Sequence, residues 1–234
     1  MKRFLKFFGA FFIFGILVIV ILAWFASEEL PKGDTGPEAD SLAYKMLNAL
    51  NYEAYQNTRF LEWSYQGGKN QFKWDKSNGL VTVKWDDDVR VELNLNNLKN
   101  SKVFRNGAPE VAKKKQKLID KALKNFNNDS FWLVAPYKVF DKGTQRSIVT
   151  LEDGNHGLLV TYSSGGTTPG DSYLWILNEN GFPIAYKMWV SIIPIGGLEA
   201  SWDEWLVTKS GAYLPKSHKL GPVNLSMGDV KGYN

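Results

Sequence analysis

The sequence predicts a mainly β domain with α-helices: a single strongly curved antiparallel sheet wrapped around helices and preceded by one N-terminal transmembrane helix. Three observations predict it. Residues 7–26 are an unbroken apolar run. From Thr58 onward apolar residues recur with period two through most of the chain. Two stretches, near residues 41–51 and 109–127, recur at helical spacing instead.

The apolar run fixes location. At about 1.5 Å per residue, some ~20 helical residues cross the ~30 Å hydrocarbon core of a bilayer. A helix satisfies its own backbone polar groups, so it is the one short element that crosses lipid alone. Lys2, Arg3 and Lys6 precede the run, and Glu28 and Glu29 follow it. The basic flank stays in the cytoplasm, which sends residues 27–234 across the membrane. Trp24 and Phe25 suit the interfacial aromatic belt and stand where a cleaved signal needs small residues. An uncleaved signal-anchor is expected, with a cleaved secretory signal as the alternative. The chain then divides into a cytoplasmic flank 1–6, an anchor 7–26, a flexible tether 27–38 and a domain 39–234. The tether reading rests on Pro31, Gly33, Gly36 and Pro37 among charged residues.

Composition removes several function classes. The formal charge of +4 invites a nucleic-acid reading. Without the three basic residues of the anchor flank, the exported part carries 25 basic and 24 acidic residues, so no nucleic-acid partner is expected. The chain has no cysteine, which excludes disulfides, thiolate metal sites and a lipid-modified N-terminal cysteine. His156 and His218 are too few for most zinc sites, and no metal or cofactor is expected. Nine tryptophans, eight of them beyond the anchor, make aromatic side chains the dominant resource.

Asp40 or Ser41 caps a first helix to about Asn51, with Leu42, Met46, Leu47 and Leu50 on one face. Strands follow in which Leu61, Trp63 and Tyr65, then Phe72 and Trp74, then Val81, Val83 and Trp85, then Val89, Val91, Leu93 and Leu95 alternate with polar residues. Gly67-Gly68, Ser77-Asn78-Gly79 and Asp86-Asp87-Asp88 supply turns. Pro109 opens a helix whose stripe is Val111, Leu118, Ile119, Ala122, Leu123 and Phe126. Lys113, Lys114, Lys115, Lys117, Lys121 and Lys124 cover most of its remaining surface. Asn127-Asn128-Asp129 ends it, and residues 130–135 form a short apolar segment stopped by Pro136. Strands resume at 146–151, 157–163, 172–177, 183–193, 198–208 and 212–220.

Catalytic chemistry finds little support. The loop 163–171 is glycine-rich but lacks the Gly-Lys-Ser/Thr ending of a phosphate cradle, and a strand follows it. His156 sits in a turn, His218 lies beside Lys216 and Lys219, and no Gly-x-Ser-x-Gly elbow offers a serine. Asp203 and Glu204 point to opposite faces of a strand. The chain is therefore expected not to be an enzyme. The aromatic face of the sheet is the informative constellation. It packs a core or leaves an apolar cavity for a ligand. The expected lining is Trp63, Phe72, Trp74, Trp85 and Trp175, with Phe131 and Trp132 closing one end.

An exported N-terminus, a first helix ending in Leu47-Asn48-Ala49-Leu50-Asn51, a long meander, a mid-chain helix and further meander resemble the lipoprotein-carrier (LolA/LolB-like) superfamily. The stretches Asn128-Asp129-Ser130-Phe131-Trp132-Leu133-Val134-Ala135-Pro136-Tyr137-Lys138, Gly181-Phe182-Pro183 and Ile193-Pro194-Ile195-Gly196-Gly197 look like those of uncharacterised envelope proteins of Gram-negative bacteria. The resemblance implies a LolA-like incomplete β-barrel closed by helices around an apolar cavity that holds acyl chains. The carriers' Arg-Pro before an aromatic-x-Trp is missing from Gln71-Phe72-Lys73-Trp74, so no functional residue is carried over. The expectation is an inner-membrane, single-pass protein whose periplasmic half-barrel binds a lipid or the acyl chain of a lipoprotein. The alternative is a non-enzymatic envelope protein with a filled core that acts through protein contacts.

Overall fold

The structure, a computed structural model, describes residues 27–86, 88–110, 112–164 and 169–234. The apolar run 7–26 and the centre of the glycine-rich loop lie outside the described residues. No described helix is long and apolar enough to cross a membrane. The protein is mainly β with a few helices.

Helix α1 spans Pro37–Ala49 and α2 spans Tyr52–Asn57. Strands β1 (Phe60–Tyr65), β2 (Asn70–Asp75), β3 (Leu80–Trp85) and β4 (Val89–Asn94) form the expected meander. β5 (Lys102–Arg105) and β6 (Ala108–Pro109) extend it, and α3 (Ala112–Val134) follows. Then come β7 (Thr144–Thr150), β8 (His156–Tyr162), β9 (Ser172–Leu177), β10 (Pro183–Trp189) and β11 (Leu198–Ser201). β12 (Glu204–Val207), β13 (Tyr213–Leu220), β14 (Val223–Ser226) and β15 (Lys231–Tyr233) complete the order.

Where one curved sheet is expected, the strands form three antiparallel sheets, none of them closed. The first has order β15-β1-β2-β3-β4-β5-β6, the second β11-β10-β9-β8-β7 and the third β12-β13-β14. Single hydrogen bonds join their margins. Ser64 N donates to Met227 O at 3.0 Å, and Met227 N donates to Lys216 O at 2.8 Å. Lys219 N donates to the Ser201 hydroxyl at 3.0 Å. One apolar core is shared by α1, α3 and strands of all three sheets.

The period-two reading of β1–β4 holds because one face is buried throughout: Leu61, Trp63 and Tyr65 are all buried, and Trp63 stands opposite Phe72. Slipping by one residue would turn this whole set outward. The first helix starts earlier than expected, with Pro37 in its first turn. Asp40, expected as its cap, pairs instead with Arg146 at 2.5 Å. The strands expected at 183–193 and 198–208 are shorter. β10 stops at Trp189, and Trp202-Asp203 separates β11 from β12.

Two departures position the site. α3 does not end at Asn127-Asn128-Asp129 but continues to Val134, because those residues are held by tertiary contacts described below. Residues 27–34, read as part of a flexible tether, lie strapped to the second sheet. Glu28 N donates to Gly196 O at 2.9 Å, and Asp34 and Ile148 exchange two backbone hydrogen bonds of 3.0 and 2.8 Å. The strap passes so close that a Cβ on Gly33 would stand 2.7 Å from Ile148 O and 2.9 Å from Val149 Cγ2.

Candidate functional site: an aromatic interior with unmet donors

The alternation that buries one face of each strand directs the aromatic residues toward α3. Trp63, Phe72, Trp85 and Trp175 are buried, and Trp74, Phe131 and Trp132 are partly buried against the same core. α3 divides them into groups. Around Phe126, Trp63 stacks on Phe72 with centroids 4.7 Å apart, and Trp74 meets the Phe126 ring edge-on at 5.2 Å. Around Trp202, Trp175 lies at 5.0 Å and Tyr186 at 5.5 Å, with Trp132 5.7 Å from Tyr186. Phe131 joins Tyr173 at 4.7 Å and Tyr162 at 5.6 Å. The seven expected lining residues thus share one core without forming one contiguous wall.

Packing of this kind uses the ring faces but leaves polar edges to be met. Trp63 Nε1, Trp74 Nε1, Trp175 Nε1 and the Tyr162 hydroxyl are buried with no hydrogen-bond partner among the described residues. Trp202 Nε1 lies by the Tyr186 phenol but does not reach hydrogen-bond geometry. A buried donor without an acceptor costs about 1–3 kcal/mol. Several in one core point to an acceptor that the side chains themselves do not supply.

Two buried polar groups were not legible as site residues. Asp129 is 2 % exposed; its carboxylate accepts from Asn70 Nδ2 at 2.7 Å and from Asn128 Nδ2 at 2.8 Å. Burial raises its pKa above the ordinary carboxylate range, and the two amides only partly offset this. The available signal was spacing: Asp129 is three residues beyond Phe126 and four before Leu133, on the same helical face. His218 is fully buried between two main-chain carbonyls, Ser201 O at 2.8 Å from Nδ1 and Trp132 O at 2.7 Å from Nε2. Neither nitrogen faces a hydroxyl or carboxylate. A neutral imidazole carries one N–H and meets one of the carbonyls at a time. Protonation would meet both, but burial outweighs this and holds the pKa below the usual histidine value.

Trp85 is where the aromatic interior reaches a surface feature. It lines an open depression of about 590 Å³ with Lys69, Lys84, Arg90 and Phe104. The Lys121 ammonium of α3 sits 4.8 Å from the centre of its ring. The lysine face of α3 therefore borders the aromatic set at this end. No protein-family model, no curated protein and no solved structure matches the chain.

Proposed function

We propose that the chain is a membrane-tethered periplasmic binding protein that holds an apolar ligand, a lipid or acyl chain, against its aromatic interior. The reading follows the lipoprotein-carrier (LolA/LolB-like) superfamily that the order of elements resembles. One observation carries it: the buried donors of Trp63, Trp74, Trp175 and Tyr162 meet no acceptor among the described residues. An acyl ester brings methylenes, each contributing about 0.8 kcal/mol on burial. It also brings carbonyl oxygens that accept hydrogen bonds without adding donors. Ile119, Ala122 and Phe126 of α3 now pack against the sheets, so ligand entry requires this helix to withdraw. Its lysines keep the opposite face in water and bring positive charge beside Trp85.

Purified residues 27–234, which contain every described element, should carry lipid detectable by mass spectrometry of an organic extract. Brominated fatty-acid esters should quench their tryptophan fluorescence. Empty protein that shows no quench overturns the reading. The mutual packing of the rings, stacked at Trp63–Phe72 and edge-on at Trp175–Trp202, favours a second reading, a filled-core protein acting through partner contacts on the lysine face of α3. In that case the extract is empty, and charge reversal at Lys114 and Lys117 abolishes crosslinking to partners in envelope fractions.

A further inference from the structure

The segment that follows the apolar run is fixed to one particular loop. The Ser27 hydroxyl accepts from Gly196 N at 3.0 Å, and Trp189 Nε1 donates to Glu28 O at 2.9 Å. Lys187 holds the Glu28 carboxylate at 2.7 Å. A Cβ on Gly196 would stand 2.5 Å from Glu28 O, so the strap and the loop meet backbone to backbone. The apolar run ends at Ala26, the residue immediately before Ser27 in the sequence.

We propose that the loop between β10 and β11, residues 190–197, lies in the interfacial zone of the bilayer and sets the orientation of the domain on the membrane. The inference rests on the reading of residues 7–26 as an uncleaved anchor. The hydrocarbon core is about 30 Å thick and the whole bilayer about 40–45 Å, which leaves about 5–8 Å of interfacial zone on each side. A group hydrogen-bonded to Ser27 is within or beside that zone. The loop suits it chemically. Residues 190–197 contain Ile192, Ile193, Pro194 and Ile195 and no ionisable side chain. Ile192 is 69 % exposed, the most exposed of the large apolar side chains among the described residues. A lone exposed isoleucine carries little by itself; this one stands four residues from the point where the strap is pinned. The backbone of the loop is partly satisfied internally, by Ile193 N to Val190 O at 3.1 Å and Gly197 N to Met188 O at 3.0 Å. Both bonds lower the cost of leaving bulk water. A freely jointed tether would let every face of the domain meet lipid, whereas the strap presents this one.

The absence of native cysteine makes the test clean. Full-length Ile192→Cys and Glu152→Cys proteins, the latter at the opposite end of the same sheet, are labelled with an environment-sensitive fluorophore in phosphatidylethanolamine/phosphatidylglycerol vesicles. Both should co-float with the vesicles. The probe at 192 should shift to the blue and be quenched several-fold more by shallow spin-labelled lipid than the probe at 152. Co-flotation with equal, water-like emission at both positions overturns the inference and leaves the anchor standing. A blue shift at 192 without quenching by lipid means a protein contact there, such as a second copy, and overturns it too. Loss of co-flotation removes the anchor reading and the inference with it.

Discussion

The Asn70 side-chain amide donates to the Asp129 carboxylate at 2.7 Å inside the fold, tying the start of β2 to the C-terminal part of α3. No cationic side chain faces this carboxylate among its hydrogen-bond partners, so burial favours the neutral acid. A carboxyl group with a raised folded pKa stabilises the fold in acid. That contribution fades as pH climbs from the ordinary value of about 3.9 through the raised one. Asp129→Asn should therefore gain stability relative to the parent as pH rises from 4 to 7. Asp129→Ala strands the Asn70 amide and should cost about 1–3 kcal/mol. Thermal melts of the three proteins across this range check both outcomes.

His218 has the opposite dependence. Its folded pKa lies below the ordinary histidine value, so the unfolded chain takes up the proton first as pH falls. Stability from this group is complete above about pH 6.5. It should decline as pH falls from there through the lower folded value. His218→Gln removes the titration and should flatten the Tm-against-pH curve between pH 7 and 5 relative to the parent. Imidazole proton shifts followed by NMR should place the His218 midpoint below the ordinary histidine value of about 6.5; a midpoint above it contradicts the assignment.

Trp175 separates the cost of a missing ring from the cost of a missing acceptor. Trp175→Ala should lose about 3–5 kcal/mol, as large-to-small core changes do. Trp175→Phe retains much of the ring and deletes an unmet donor worth about 1–3 kcal/mol, so it should lose less than half as much. Urea denaturation of both variants measures the ratio. If an acyl ester uses the indole N–H, Trp175→Phe should also retain less extractable lipid than the parent.

The strap can be released without touching the main core around α3. Gly33→Val drives a side chain into Ile148 O and Val149 Cγ2, and the segment must lift. The amide of Asp34, which donates to Ile148 O, should then exchange at least tenfold faster. The amides of β8 and β9 should keep their protection. Hydrogen exchange resolved by peptide checks both arms, and unchanged exchange at Asp34 counts against a pinned strap.

Local pattern carried much of the fold. β1–β4 were readable because each buries one face and turns at residues such as Gly79, which sits at a φ of 63°. The aromatic residues of the site were readable for the same reason. The division into separate sheets was not, since no local period encodes which neighbouring strands pair along their length and which meet only through single bonds such as Ser64 N to Met227 O. α3 continues past Asn127-Asn128-Asp129 because Asn70 accepts the role of a distant partner for Asp129, overriding residues whose intrinsic preference is to end a helix. The unmet indole donors were equally invisible, because a sequence lists donors but not the acceptors near them. The strap was hidden by Pro31 and Gly33, which signal mobility in isolation, whereas in place Gly33 allows close approach to β7.

β15 pairs with β1, with Phe60 opposite Tyr233, and Arg59 N donates to the Asn234 side chain at 2.9 Å. One edge of the first sheet is thus completed by a strand synthesised long after β1. Until they emerge, β1 offers an open row of backbone donors and acceptors, a template for wrong strands as much as right ones. Completion of the first sheet is therefore tied to the arrival of β15. A chaperone would be most needed in the interval before it arrives.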